Sequence, residues 1–299
     1  MMIFVAGAGG FIGSCIARHL ASLGHEVVAH IRSRDGDLES GSVPENAEVV
    51  VNSAGRLGGR GSDPGQLRLA NEDLPGMLAD RCAETGASLV HLSTPGVTGL
   101  RPDATEDMDY SPWGEYESTK MRGELAVIRH PGLNEGSVTV LRPDFVYGPG
   151  DLHKLPLFKH VARGWMPLIG KRGGRIRPTY CGDVCRAVEA SLPGGRLFGG
   201  LYNVGGPRVV TVGELAERIA AQLGTGVRLL PLPRLLFRIA LHLGPLCPSS
   251  LTESRLRLFG EDHFVSTARA ERAGFIPEWD LSAGLRQTLS WYVSEDLLK

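Results

Sequence analysis

The chain opens on a short apolar run, Met2 to Ala6, that breaks at once into Gly7-Ala8-Gly9-Gly10-Phe11-Ile12-Gly13. A run of that length stopped by glycine predicts a buried strand. After Gly13 the period changes. Ile16, Leu20 and Leu23 recur at helical spacing, and Gly24 closes the segment as a helix-ending glycine. Glu26 to Ile31 is a second strand-like run. Strand, glycine turn, helix and strand form the unit that seats a dinucleotide diphosphate. One glycine reverses the chain, another lets backbone approach the phosphates, and a third lets helix pack on strand. The first helical N–H groups then point at the anion. Here the spacing is GxxGxxG, at Gly7, Gly10 and Gly13, with Phe11 and Ile12 between the last two. A tight turn without a ligand is the competing reading, and the surrounding unit weighs against it.

The alternation of elements continues. Residues 33–46 are polar and too few for a full helix–strand–helix crossover, so this side of the sheet is expected to be abbreviated. Ala47 to Ser53 reads as a strand ending in the small-residue turn Ala54-Gly55, and Leu57 to Gly65 as a glycine-rich, mobile loop. Leu67 to Thr85 reads as helix with Gly86 at its end, and Ser88 to Leu92 as a strand running into Ser93-Thr94-Pro95-Gly96-Val97. Pro112 and Arg129-His130-Pro131-Gly132 bracket another helix. Val138 to Leu141 is the next strand, Leu155 to Ala162 a helix, Asp183 to Ala190 a helix, and Tyr202 to Gly206 a strand and turn. Thr211 to Leu223 is amphipathic, with Thr211 and Glu214 as a capping box. Phe264 to Leu298 reads as helical, with Trp279 and Trp291. The pattern predicts an α/β chain: a Rossmann-like doubly wound parallel sheet over residues 1–150, to which 176–206 return. Residues 151–175 and 207–299 are expected to form a smaller C-terminal α/β substrate lobe.

Composition narrows the partners. The chain has 299 residues, with 32 Lys+Arg against 33 Asp+Glu and a formal charge of −1, so no global field draws nucleic acid or an acidic membrane. No uncharged apolar stretch reaches membrane-spanning length, and no basic region precedes Ile3 as in a signal peptide. Cys15, Cys82, Cys181, Cys185 and Cys247 make no CxxC pair and no Cys/His ligand cluster, so no metal site is expected. Their odd number suits a reducing, cytoplasmic location. Cys181 and Cys185, four apart, read as buried thiols on one helix edge. Arg234, Arg238 and His242 recur opposite Leu235, Leu236, Ile239 and Leu243. Such a helix either lies on a membrane or, more often, covers a substrate lobe.

Candidate chemistry centres on Tyr116 and Lys120. Four residues apart on a helix, they emerge one turn apart on one face. An ammonium beside a phenol favours the phenolate, and so is expected to lower a pKa that is ordinarily about 10. That tyrosine would give or take a proton at a substrate oxygen. Thr94, at the C-terminal end of a strand, is placed to bind the same oxygen; as part of Ser-Thr-Pro-Gly it also reads as a plain turn former. At the end of the second strand, Ile31-Arg32-Ser33-Arg34 carries two guanidiniums and no carboxylate before Asp35. Arg32 and Arg34 therefore read either as holders of a 2′-phosphate, favouring NADP over NAD, or as solvated loop charges. The basic loop from Gly170 to Arg177 likewise either clasps a phosphorylated substrate or is solvated.

The order GxxGxxG, Ser93-Thr94, Tyr116-xxx-Lys120 and Leu141-Arg142-Pro143…Val146-Tyr147-Gly148-Pro149-Gly150 resembles the extended short-chain dehydrogenase/reductase family. The likeness spans nearly the whole chain, and Arg177-Pro-Thr-Tyr-Cys-Gly-Asp183 and Tyr202-Asn203-Val204-Gly205-Gly206 look like its later motifs. Locally, Val50 to Gly55 and Gly86 to Thr94 look most like dTDP-dehydrorhamnose reductases. The resemblance implies Tyr116 as acid/base, Lys120 on the nicotinamide ribose and Thr94 on the substrate oxygen. It implies a cofactor site made of Gly7, Gly10, Phe11, Ile12 and Gly13, then Arg32 and Arg34, Ser53, Ala54 and Gly55. Asn71 and Ser93, Tyr116 and Lys120, and Pro143 and Val146 would complete it. Pro95 and Arg177 would join Thr94 and Tyr116 on the substrate, and a homodimer is implied by resemblance alone. In place of the reductases' Asp-Tyr-Val-Phe run, this chain has Pro95-Gly96-Val97-Thr98-Gly99. Three functions follow: an NADP-dependent reductase of a carbonyl on a sugar nucleotide or similar small substrate, a nucleotide-sugar epimerase or dehydratase, or a non-enzymatic NADP-binding sensor. The dehydratase needs an acid/base pair after Thr94, which Pro95-Gly96 do not supply.

Overall fold

A computed structural model describes residues 1–58, 62–235, 257 and 259–298. In chain order, β1 (Met2–Ala6) leads through the glycine turn into α1 (Phe11–Ser22) and β2 (Glu26–His30). One helical turn, α2 (Arg32–Asp35), and a 3₁₀ turn at Ser40–Ser42 are all that precede β3 (Val49–Asn52). The crossover is thus abbreviated. There follow α3 (Pro64–Arg68), α4 (Leu74–Thr85), β4 (Ser88–Leu92), α5 (Glu115–Ile128) and β5 (Val138–Pro143). Short strands β6 (Val146–Tyr147), β7 (Trp165–Ile169), β8 (Arg175–Ile176) and β9 (Thr179–Tyr180) surround α6 (Leu155–Ala162) and precede α7 (Cys181–Ala190). The chain then forms β10 (Leu201–Val204), β11 (Val210–Thr211), α8 (Val212–Gln222), β12 (Arg228–Leu232), α9 (Ala268–Arg272) and α10 (Leu281–Ser294).

The main sheet has the order β10-β5-β4-β3-β1-β2, parallel at every pairing. Alternate side chains of β1 enter different cores, which is why its sequence reads as unbroken apolar residues. Ile3 and Val5 pack with Ile16, Leu20 and Val188. Phe4 and Ala6 pack with Leu78, Cys82 and Val127 on the other face. Connections leave β1 towards β2 on one side and reach β3 on the other, so the crevice at the strands' C-terminal ends opens between β1 and β3. Three two-stranded pairs, β12–β7, β11–β8 and β6–β9, complete the described strands.

The structure departs from the pattern in places. The helix expected over 67–85 starts at Pro64, where Asp63 accepts from the Gly65 N–H at 2.9 Å, and contains a π-helical turn at Leu69–Asp73. The helix expected over 264–298 is two helices. Gly274 sits at φ +87° and Asp280 starts α10 by accepting from the Ala283 N–H at 2.9 Å. Of the basic amphipathic stripe, Arg234 and Leu235 are described; Leu236, Arg238, Ile239, His242 and Leu243 lie outside the described residues, as does Cys247. Among the described residues no helix is long and apolar enough to cross a membrane.

Candidate active site

The glycine turn is built by close approach. Gly7 has φ +79°, and a Cβ there would lie 2.6 Å from the Ala54 nitrogen, so the turns after β1 and β3 touch. At Gly13 a Cβ would meet the Gly7 carbonyl at 2.2 Å and Ser53 Oγ at 2.5 Å. Ser53 Oγ in turn donates to the Ala6 carbonyl at 2.6 Å, locking the two strand ends together. Gly10 caps α1 without a side-chain hydrogen bond, leaving the N–H groups of Phe11, Ile12 and Gly13 at the crevice. Beside them, a cavity of about 410 Å³ is lined by Gly9, Gly10, Phe11, Pro149 and Gly150. A cradle that only glycine fits, at an open helix N-terminus, suits a diphosphate. At the end of β4, Ser93 Oγ is buried with no hydrogen-bond partner, a free hydroxyl on the same rim.

Tyr116 and Lys120 both sit in the first half of α5 and face this rim. Lys120 is 4% exposed, and its Nζ donates to the Leu92 carbonyl at 2.7 Å. A Cβ on Gly55 would lie 4.0 Å from the same Nζ, so the ammonium spans the ends of β3 and β4. Burial lowers the Lys120 pKa to about 8, against the opposing pull of Glu124. Thr94 lies beside Tyr116, close enough for its side chain to pull the phenol's pKa down. The Tyr116 pKa moves opposite to expectation, up to about 12, through burial and then the Glu117 charge, with only Thr94 pulling down. The physical reason is that the ammonium is drawn to the Leu92 carbonyl instead of the phenol, and both groups are stripped of water. Thr94 keeps its turn role too, accepting from the Gly96 N–H at 3.3 Å, and Pro95 opens the 3₁₀ turn that follows.

Two elements of the site escaped the sequence. Glu117 is 8% exposed and its carboxyl lies between two glycines. A Cβ on Gly96 would be 2.8 Å from Glu117 Cγ, and one on Gly114 2.7 Å from Glu117 Oε2. Burial raises its pKa. The Pro95-Gly96 turn therefore brings no carboxylate of its own, but α5 places one over it. Behind Lys120, Glu124 and Arg142 form an ion pair 0% and 1% exposed, and the Tyr110 hydroxyl donates to Glu124 Oε1 at 2.8 Å. Arg142 of the Leu-Arg-Pro run thus anchors α5 to β5.

Other anticipated residues are occupied. Asn71, in the π-helical turn, is fully buried; Nδ2 donates to the Arg56 carbonyl at 2.9 Å and to Thr119 Oγ1 at 3.1 Å, and Oδ1 accepts from the Arg56 N–H at 2.8 Å. It ties the loop after Gly55 to α5. Arg34 and Arg32 each hold a neighbouring carboxylate. Arg34 is held by Asp35 at 2.7 Å and by the Ala29 carbonyl, while Arg32, 59% exposed, pairs with Asp37 at 2.6 Å. Arg177 donates to the Gly206 carbonyl at 3.1 Å and to Thr267 Oγ1 at 3.3 Å, near Asp144, whose burial raises its pKa to about 7. In the basic loop, Arg172 pairs with Glu217 and Arg175 with Asp262, so these guanidiniums already have carboxylates. Pro143 ends β5 opposite Val204, and Val146 is buried in β6. No group of three metal-ligating side chains occurs among the described residues.

Residues 1–236 match the family described as the RmlD substrate binding domain. The chain belongs to that family. It is accordingly an NAD(P)-dependent enzyme of the extended short-chain dehydrogenase/reductase type. Among its relatives, a 2-alkyl-3-oxoalkanoate reductase of Stenotrophomonas maltophilia is 27% identical over 96% of this chain and 98% of its own. A dTDP-4-dehydrorhamnose reductase of Mycolicibacterium smegmatis is 30% identical over 64% of this chain and 61% of its own. Solved structures with the same fold include the UDP-glucuronic acid 4-epimerase of Bacillus cereus with NAD, at TM-score 0.76 and 19% identity over 99% of this chain and 99% of that one. RMD from Pseudomonas aeruginosa with NADPH aligns at TM-score 0.75 and 22% identity, over 98% and 99% of the chains.

Proposed function

We propose that this RmlD-family chain is an NADP-dependent reductase of a carbonyl on a sugar nucleotide or similar small substrate, with Tyr116 as the acid. The observation that carries this reading is Thr94 set beside Tyr116 next to the glycine cradle. A bound nicotinamide would supply the hydride. Thr94 and Tyr116 then hold the substrate oxygen between two hydroxyls, and Tyr116, its proton kept on by burial and by Glu117, delivers that proton as charge develops on the oxygen. Lys120 keeps a positive charge behind the site, and the Gly58 loop, whose Cβ position lies 3.1 Å from Tyr116 Cβ, covers the tyrosine. Residues 151–175 and 207–299 serve as the substrate lobe.

A second substrate reading comes from the relative matched along nearly the whole chain, whose name makes the carbonyl that of a 3-oxoalkanoate. The experiment is a parallel assay of NADPH consumption with dTDP-linked 4-keto-sugars and with 2-alkyl-3-oxoalkanoates. Stoichiometric consumption with either class supports the reductase and selects its substrate. A protein that purifies with tightly held nucleotide and interconverts sugar nucleotides without net consumption is the epimerase instead. The NADP preference rests on Arg32, whose exposed guanidinium would leave Asp37 for the phosphate. Arg32→Asp should weaken NADPH far more than NADH, whereas equal losses would show that it reads no 2′-phosphate.

A further inference from the structure

Three cysteines meet where α1 packs on α7. Cys15 lies on α1, two residues beyond Gly13; Cys181 opens α7, and Cys185 follows one turn later. The Cys15 and Cys181 sulfurs are 3.7 Å apart, one on each of two helices packed together. Arg18 Nη2 lies 3.6 Å from Cys15 Sγ, and the Pro149 carbonyl 3.8 Å from it. Cys181 and Cys185 are buried, whereas Cys15 is partly exposed. Its neighbours Ser14, Arg18 and Pro149 line the cavity beside the glycine turn, which gives a small reagent a route in.

We propose that Cys15 is a site of oxidation by small hydroperoxides, with Cys181 as the thiol that resolves it into a disulfide. None of the roles assigned above uses either sulfur, so the proposal goes beyond the reductase reading. The sulfurs need only close from 3.7 Å to the roughly 2.05 Å of a disulfide. Cys15 is the attacking member because its thiolate can accept from Arg18 and from the Cys181 thiol, and together these lower its pKa to about 7. Cys181 is pushed up by the same pairing and by burial, so it stays protonated until it is called on. The other titratable groups facing the pair are Cys185 and Tyr180, both raised by burial and neutral at physiological pH.

The chemistry balances in two steps. The Cys15 thiolate attacks hydrogen peroxide; an S–O bond forms, the O–O bond breaks, the sulfur loses two electrons and hydroxide leaves, giving the sulfenic acid. Cys181 sulfur then attacks that sulfenic sulfur; the S–S bond forms, the S–O bond breaks, and the departing hydroxide takes the Cys181 proton as water. The result cross-links α1, which carries the glycine turn, to α7.

The test uses the full chain with Cys247→Ser, so that the thiols followed are the described ones. The protein is treated with hydrogen peroxide, free thiols are alkylated, and peptides are read by mass spectrometry. The expected product is one Cys15–Cys181 cross-link lacking two hydrogens, formed with Cys15 lost roughly tenfold faster than buried Cys82. Cys181→Ser should leave Cys15 as a sulfenic acid that a cyclic dione probe traps, and Cys15→Ser should leave Cys181 reduced. Loss of Cys15 no faster than Cys82 would overturn the proposal. So would sulfinic acid without a cross-link in the parent, or a cross-link to Cys185 in place of Cys181. None of these readouts depends on turnover, so failure here is distinct from failure of the reductase assignment.

Discussion

Lys120→Met should make the protein more stable at neutral pH while removing its activity. The lysine is 4% exposed, and its pKa falls from 10.5 to about 8 because burial disfavours the ammonium. A depression of that size corresponds to about 3 kcal/mol of lost stability at pH 7. The sign follows from proton binding. Below about pH 8 both folded and unfolded lysines are charged, and the folded state carries the whole penalty. Between about 8 and 10.5 the unfolded chain binds more protons than the folded one, so stability rises with pH across that window. Methionine fills similar space without a charge but forfeits the Nζ–H···O bond to Leu92, worth about 1 kcal/mol. The variant should therefore be about 2 kcal/mol more stable than the parent at pH 7, and lose that advantage by about pH 11. Urea unfolding followed by tryptophan fluorescence, run on both proteins from pH 7 upward, reads the difference directly. A difference that stays flat with pH, or a variant less stable at pH 7, would refute the assignment of Lys120 as a buried, strained charge retained for function.

How much could be read in the chain depended on how local the cause was. The glycine turn was legible because Gly7, Gly10 and Gly13 sit between a run of strand length and a helical period, and the contacts that demand glycine follow from that geometry. Tyr116 and Lys120 were legible as a pair because helix spacing alone puts them on one face. Their protonation was not, since it depends on burial by loops distant in sequence and on the Leu92 carbonyl. Nothing local marks Glu117, because its seat is made by Gly96 and Gly114, whose meeting is a tertiary fact. Arg34 was read for its charge, although Asp35 beside it was the visible competitor. The break between α9 and α10 falls at Gly274, Pro277 and Asp280, local signals that a single helix over 264–298 leaves unused.

Gly13→Ala places a Cβ 2.2 Å from the Gly7 carbonyl, which is backbone and cannot yield, and 2.5 Å from Ser53 Oγ; it should cost about 1–3 kcal/mol in urea unfolding and abolish dinucleotide binding by calorimetry. Unchanged binding would contradict the cradle. Glu117→Gln removes the charge that helps hold the Tyr116 proton, so the alkaline limb of the pH–rate profile for alcohol oxidation should move to lower pH; an unmoved or rising limb would contradict that coupling.

The most direct test of the central claim is Tyr116→Phe, measured for NADPH binding and for single-turnover reduction of the substrate that the panel selects. The account predicts binding within a few-fold of the parent and a reduction rate lower by roughly 10²–10⁴-fold, the usual worth of a positioned proton donor. Reduction at the parental rate would show that the proton comes from elsewhere and that Tyr116 is not the acid.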